Sequence, residues 1–255
     1  MKSLRSEFGA GPFILMFHSI VNGSDDACSV SVDNFKKQVS WLFDSGFTTV
    51  HLEDLVKSLN RKDWVGLRKK VVFTFDDGCK DFVSNALPVL QRHKASATVF
   101  LVTGMMGGRA SWSTRAGHVP LMSADEVRHI KALGISLGSH TVTHADLTAL
   151  NPMELHRQVK DSLDCLTNFG ESFYSFAFPW GRTSAEVKDA VRQAGYECAV
   201  AVGGAMRADG ADIYQLPRMA MQADLDFRAF RALFGRTSRL RRYLNRFVIR
   251  SCVQD

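Results

Sequence analysis

The run Val71-Val72-Phe73-Thr74-Phe75 stops abruptly at Asp76, Asp77 and Gly78. An apolar, β-branched stretch of this length between turn signals reads as a buried strand. Two acids at its end repel each other, and like charges this close push their pKa values apart. A metal, a shared proton or solvent can relieve that repulsion. A second feature favours the metal. His140-Thr141-Val142-Thr143-His144 sets two imidazoles four residues apart, again just after an apolar stretch, Ile135 to Leu137. One carboxylate with two imidazoles is a facial ligand set that leaves positions open for water or substrate. The residues between the histidines are β-branched and the glutamate of HExxH is absent, which argues against a helical metalloprotease site.

The rest of the chain alternates short apolar runs with amphipathic ones, the pattern of a parallel sheet or barrel. Strands are expected at Phe13–Phe17, Thr48–Val50, Val71–Phe75, Thr98–Val102, Ile135–Ser139, Ser172–Phe178 and Cys198–Val202. Helices are expected at Asp33–Asp44, Glu53–Leu59, Asp81–His93, Ala124–Leu133, Pro152–Asn168 and Ser184–Ala194. Ser123 with Glu126 and Thr183 with Glu186 read as capping boxes, and Asn151-Pro152 as a cap followed by proline. Gly46, Gly134, Gly170 and Gly195 read as helix stops. Gly104 to Met122, with Trp112, reads as a long loop that could line a site.

A chain of 255 residues suffices for one α/β barrel. Its five cysteines are scattered, odd in number and form no CxxC pair, so a reducing compartment is expected. Lys2 and Arg5 are followed by Glu7 and Gly9 rather than an apolar run. The expectation is a cytoplasmic protein without a secretory signal. The net charge of +6 is concentrated at the end. Arg228, Arg231, Arg236, Arg239, Arg241, Arg242, Arg246 and Arg250 stand there against one acid, Asp255, and this excess exceeds the whole net charge. Phe227, Phe230, Leu233 and Phe234, then Leu240, Tyr243, Leu244, Phe247 and Val248, recur between the arginines at helical spacing. Residues 1–222 are therefore expected to form the main domain and 223–255 a basic, amphipathic, helical extension. That extension either packs on the barrel or lies on an anionic membrane at its inner face. Nucleic acid is disfavoured because no recognition motif accompanies the charge.

Each polar motif falls at the C-terminal end of an expected strand: His18, the Asp76-Asp77 pair, His140, and Phe178-Pro179-Trp180-Gly181. In parallel α/β folds that edge carries the active site. At this point the chain resembles the polysaccharide deacetylases, carbohydrate esterase family 4, also called the NodB homology domain. TFDDG at 74–78 and HTVTH at 140–144 are similar to that family's first two motifs. FAFPWG at 176–181 is similar to its third in an arginine-less form, and LMFHSI at 15–20 to the N-terminal histidine motif of the exopolysaccharide deacetylase branch.

The resemblance implies a distorted, incomplete (β/α)7-type barrel. It also implies that Asp77, His140 and His144 bind a divalent metal, typically zinc, with cobalt, nickel or manganese as alternatives. Asp76 would be the general base, His18 the general acid for the leaving amine, and the Trp180 backbone N–H an oxyanion donor. Pro179 and Trp180 would face the substrate, an acetylated sugar or glycan. Two features depart from the family pattern. Ala177 stands where an arginine normally orients the catalytic aspartate, and Arg218 is the candidate replacement. The late Leu-x-His motif is absent after Met219, which leaves His18 to supply the acid. Those departures keep a rival in view, a non-catalytic glycan-binding member of the fold. An amide hydrolase on a non-sugar substrate and an O-acetyl esterase are the others.

Overall fold

The computed structural model describes residues 11–24, 26–112, 119–203, 206 and 212–235. Seven parallel strands close into a ring: β1 (Phe13–Phe17), β2 (Lys70–Phe75), β3 (Ala97–Leu101), β4 (Ser136–Ser139), β5 (Ser175–Ala177), β6 (Cys198–Val202) and β7 (Leu216–Ala220). They follow one another around the ring in chain order, which closes where β1 pairs both with β2, from Phe13↔Val71 to Phe17↔Phe75, and with β7, at Leu15↔Met219. Contact between β4 and β5 is reduced to one pair, Phe176↔Ser139, so the barrel is uneven there.

Period-two alternation sorts the side chains into two layers. Phe13, Leu15, Phe17, Val71, Phe73 and Phe75 face outward into the core shared with the helices. Phe35, on α1 (Val32–Asp44), meets Phe17 edge-on at 5.2 Å. Ile14, Val72, Phe100, Val200 and Leu216 face inward. The interior is sealed near the start of β2 by α2 (Leu52–Asn60), whose Leu52, Leu55, Val56 and Leu59 join that inner cluster. The opposite rim is left for polar residues.

Crossover helices follow the expected pattern with informative differences. The segment after β2 opens as a π-helical turn, Phe82–Ala86, before α3 (Leu87–Arg92). Ser123 and Glu126 make the full capping box on α4 (Ala124–Ala132). Asn151 caps α5 (Pro152–Asn168). The cap of α6 (Ala185–Ala194) is Ser184, which accepts from the Val187 N–H, so the expected Thr183–Glu186 capping box does not form and a simple serine cap takes its place one residue later. Gly46, Gly134, Gly170 and Gly195 all take positive φ, as helix stops require.

Thr48–Val50 is not a stave of the barrel: Thr48 and Thr49 pair only with the beginning of β2. The seventh stave is Leu216–Ala220, whose Pro217 and Arg218 disguise it as a non-strand. The structure tolerates Arg218 because a carboxylate awaits it inside. The expected strand from Ser172 shortens to β5.

The first two turns of helix in the basic extension pack on the barrel. On α7 (Phe227–Leu233), Phe230 meets Trp41 at 5.8 Å, and Phe234 just beyond meets Phe13 at 4.9 Å. The expected helix beyond Gly235, with Arg236 to Arg250, lies outside the described residues. No helix among the described residues is long and apolar enough to cross a membrane.

Candidate active site

The C-terminal rim gathers residues from five staves. Asp76 continues the β1–β2 ladder, its N–H donating to the Phe17 carbonyl at 2.9 Å. Asp76 is 2% exposed, and its carboxylate is held by a two-pronged pair with Arg218. Nη1 donates to Oδ1 and Nη2 to Oδ2, both at 2.6 Å, between residues 142 positions apart. Arg218 is itself 1% exposed, donates also to Thr74 Oγ1 at 3.2 Å, and lies over the Phe100 ring. Burial pushes the Asp76 pKa up, but the Arg218 charge, His140 and the Arg218 hydrogen bonds more than offset it. The carboxyl stays well below its ordinary range. A guanidinium, absent at position 177, thus reaches the Asp76 carboxylate from β7.

Asp77 turns away from Asp76 because its backbone takes φ +70°, followed by Gly78 at φ +74°. At Gly78 an added Cβ would also press on Leu101, so the turn is built for glycine. Asp77 Oδ1 lies 3.4 Å from His144 Nε2 and 3.7 Å from His140 Nε2. Burial raises the Asp77 pKa, opposed by the charges of His18 and His140.

His140 closes the ladder to β3, its N–H donating to the Leu101 carbonyl at 2.8 Å. Its Nδ1 lies 2.7 Å from the Ala177 carbonyl, which requires the proton on Nδ1 and leaves Nε2 free toward Asp77. The turn to His144 is bent sharply, with positive φ at Thr141 (+70°) and His144 (+60°). For a β-branched residue such as Thr141 this conformation is costly and persists only when surroundings impose it. They do: the His144 N–H donates to Thr141 Oγ1 at 2.8 Å, and Gln158 Oε1, buried on α5, accepts from the N–H groups of Val142 and Thr143. The His144 ring is stacked on Trp112 (4.4 Å between centroids, 8° between planes) and meets Trp180 edge-on at 4.7 Å. Burial holds its pKa well below the ordinary imidazole value, so it is neutral at pH 7.

His18 is half-buried at the end of β1, and its charge acts on both Asp76 and Asp77. Trp180 sits in the Pro179–Gly181 turn with φ +59°. Every candidate residue therefore meets at one rim. Thr74, Phe100, the Ala177 carbonyl, Thr141 and Gln158 support the site without any local sequence signal. Their roles are backbone contacts and packing across the barrel, which carry no local motif. Trp112 falls in the expected loop, and nothing local to it shows that it stacks on His144.

The donor set suits a cation. One ligand atom each from Asp77, His140 and His144 lie within 4.8 Å of one another. Asp77 Oδ1 is buried without a hydrogen-bond partner while two imidazole nitrogens face it. A divalent ion satisfies all three.

The polysaccharide deacetylase family model matches residues 63–199, more than half of the chain. The Bacillus subtilis protein YxkH, named for the same family, is 30% identical over 222 residues, which cover 86% of this chain and 74% of YxkH. This chain belongs to the polysaccharide deacetylase family. It is 26% identical to the poly-beta-1,6-N-acetyl-D-glucosamine N-deacetylase of Staphylococcus epidermidis over 82% of its own length and 74% of that enzyme. Its fold matches the Streptococcus pyogenes deacetylase PplD, solved with acetate, at a TM-score of 0.74 and 25% identity, covering 86% of this chain and 96% of PplD.

Proposed function

We propose that this protein is a metal-dependent hydrolase that removes the acetyl group from N-acetylated sugars of a glycan. The observation that carries the reading is the Arg218-clamped Asp76 beside the Asp77, His140 and His144 set. Asp77, His140 and His144 would hold the divalent ion, with zinc first among the candidates for such donors. When bound, the ion lowers the pKa of water and polarises the acetyl carbonyl.

Asp76 takes the proton of the attacking water. It remains ionised for this task at neutral pH because Arg218 opposes its protonation. Arg218 also fixes both carboxylate oxygens, so the base has one orientation. The water oxygen bonds to the acetyl carbon and the carbonyl becomes an oxyanion, for which the Trp180 backbone N–H is the candidate donor. His18 then gives a proton to nitrogen as the C–N bond breaks, releasing acetate and a free amine. An unprotonated amine is a poor leaving group, which gives His18 its task. Pro179 and Trp180 would form part of the surface against the sugar. The kinship with an N-acetylglucosamine polymer deacetylase supports a hexosamine glycan as substrate. The Arg218 clamp on Asp76, with the His18 charge acting on both Asp76 and Asp77, supports catalysis over the glycan-binding alternative.

The test is acetate release from N-acetylglucosamine oligomers with and without a chelator. Chelation should abolish release and zinc should restore it. Asp77→Ala and Asp76→Asn should each lose at least about 100-fold. Wild-type rates in both variants would refute the mechanism.

A further inference from the structure

His18 is flanked on both sides by contacts to a single segment, Asp76 to Ala86. On one side, the Asp76 N–H donates to the carbonyl of Phe17. On the other, Asp81 receives two hydrogen bonds from the residues just after His18. Ser19 Oγ donates to Oδ2 at 2.6 Å and the Ile20 N–H donates to Oδ1 at 2.8 Å. Asn85 adds a third, Nδ2 donating to the Ile20 carbonyl at 2.7 Å. Ser19 is 2% exposed and Ile20 fully buried, so the strand side of these bonds is held inside the protein while Asp81 and Asn85 are half-buried.

An acid at a helix start normally caps the helix's own amides. Asp81 stands at that place before the π-helical turn Phe82–Ala86, yet its side chain makes no capping bond. It is directed instead to a part of the chain far away in sequence. Pi-helical turns concentrate at functional sites, and here Asp81, just before that turn, and Asn85, within it, both bond to Ile20.

We propose that Asp81, assisted by Asn85, is a positioning residue that holds His18 in register with Asp76 and Asp77. Acid, base and a metal ligand would then be carried by one braced unit: the end of β1 bound to the turn after β2. This inference rests on the reading of His18 as general acid. Asp81 touches no reacting atom and acts only through the placement of the imidazole.

The experiment is a double-mutant cycle of His18→Ala and Asp81→Ala, with Asp81→Asn as the conservative variant. Acetate release from N-acetylglucosamine oligomers gives kcat and KM, and elemental analysis gives zinc content. Asp81→Ala should lower kcat about 10- to 100-fold, with KM changed by less than about twofold and zinc content intact. Asp81→Asn, whose Oδ1 can still accept from Ile20, should recover most of the rate. In the His18→Ala background, Asp81→Ala should cost nothing further. An equal loss in both backgrounds, or loss of zinc, would show a structural role and overturn the proposal. If His18→Ala is impaired while Asp81→Ala and Asp81→Asn are wild-type, only the positioning proposal falls. If His18→Ala itself retains the wild-type rate, the general-acid reading falls and this inference with it.

Discussion

Replacing Arg218 by methionine would strand the Asp76 carboxylate in a site that excludes water. Breaking a buried pair from one side costs about 3–5 kcal/mol, and burial alone would then push the Asp76 pKa upward. In the wild-type protein Asp76 is depressed, so it does not set the acid limb of the pH–rate profile near neutrality. Arg218→Met should lower kcat by about 100-fold or more, and move the acid limb to higher pH, measured as kcat/KM against pH. The sign for stability follows from linkage. The folded value lies below the unfolded one, so the pair's stabilisation is fully present above about pH 4 and is lost as pH falls through the depressed value. Thermal unfolding of wild type and Arg218→Met should therefore converge as pH drops. Arg218→Lys keeps the charge but not the two-pronged geometry, and should fall between the two.

Gly138 shows how one stave controls the element it belongs to. It faces the barrel interior on β4, two residues before His140, and a Cβ there would collide with the Phe100 ring and approach Ser175. Gly138→Ala should destabilise the protein by about 1–3 kcal/mol through overpacking. Because Phe100 also underlies Arg218, activity should fall further than stability alone accounts for. Denaturant unfolding beside kcat separates the two effects. By contrast Ser123→Ala removes only the capping box of α4. It should cost about 1 kcal/mol in the same unfolding measurement and leave kcat as it is.

For the whole molecule, the ligand set joins β2 and β4, staves that are not neighbours in the ring. A bound ion therefore braces the barrel across β3. Zinc should raise Tm in proportion to the logarithm of its free concentration above Kd. That gain should vanish in Asp77→Ala and His140→Ala, as followed by differential scanning calorimetry.

What was legible in the chain and what was not divide along the range of the interactions. TFDDG, HTVTH, the alternation of strand and helix, and the caps at Ser123 and Asn151 are short-range patterns, and adjacency in sequence suffices to show them. The membership of the ring was not, because LPRMA is a poor strand by local preference and becomes one only when Asp76 neutralises Arg218 inside the barrel. Nor could local pattern show Gln158 holding the His140–His144 turn, or Asp81 reaching back to Ser19 and Ile20. The amino-acid sequence by itself determined which chemical groups the site contains and that they end on strands. Only the tertiary structure decided which guanidinium serves which carboxylate and which imidazole nitrogen is free, because buried charges and hydrogen bonds choose partners by proximity in space, and closing the barrel creates that proximity.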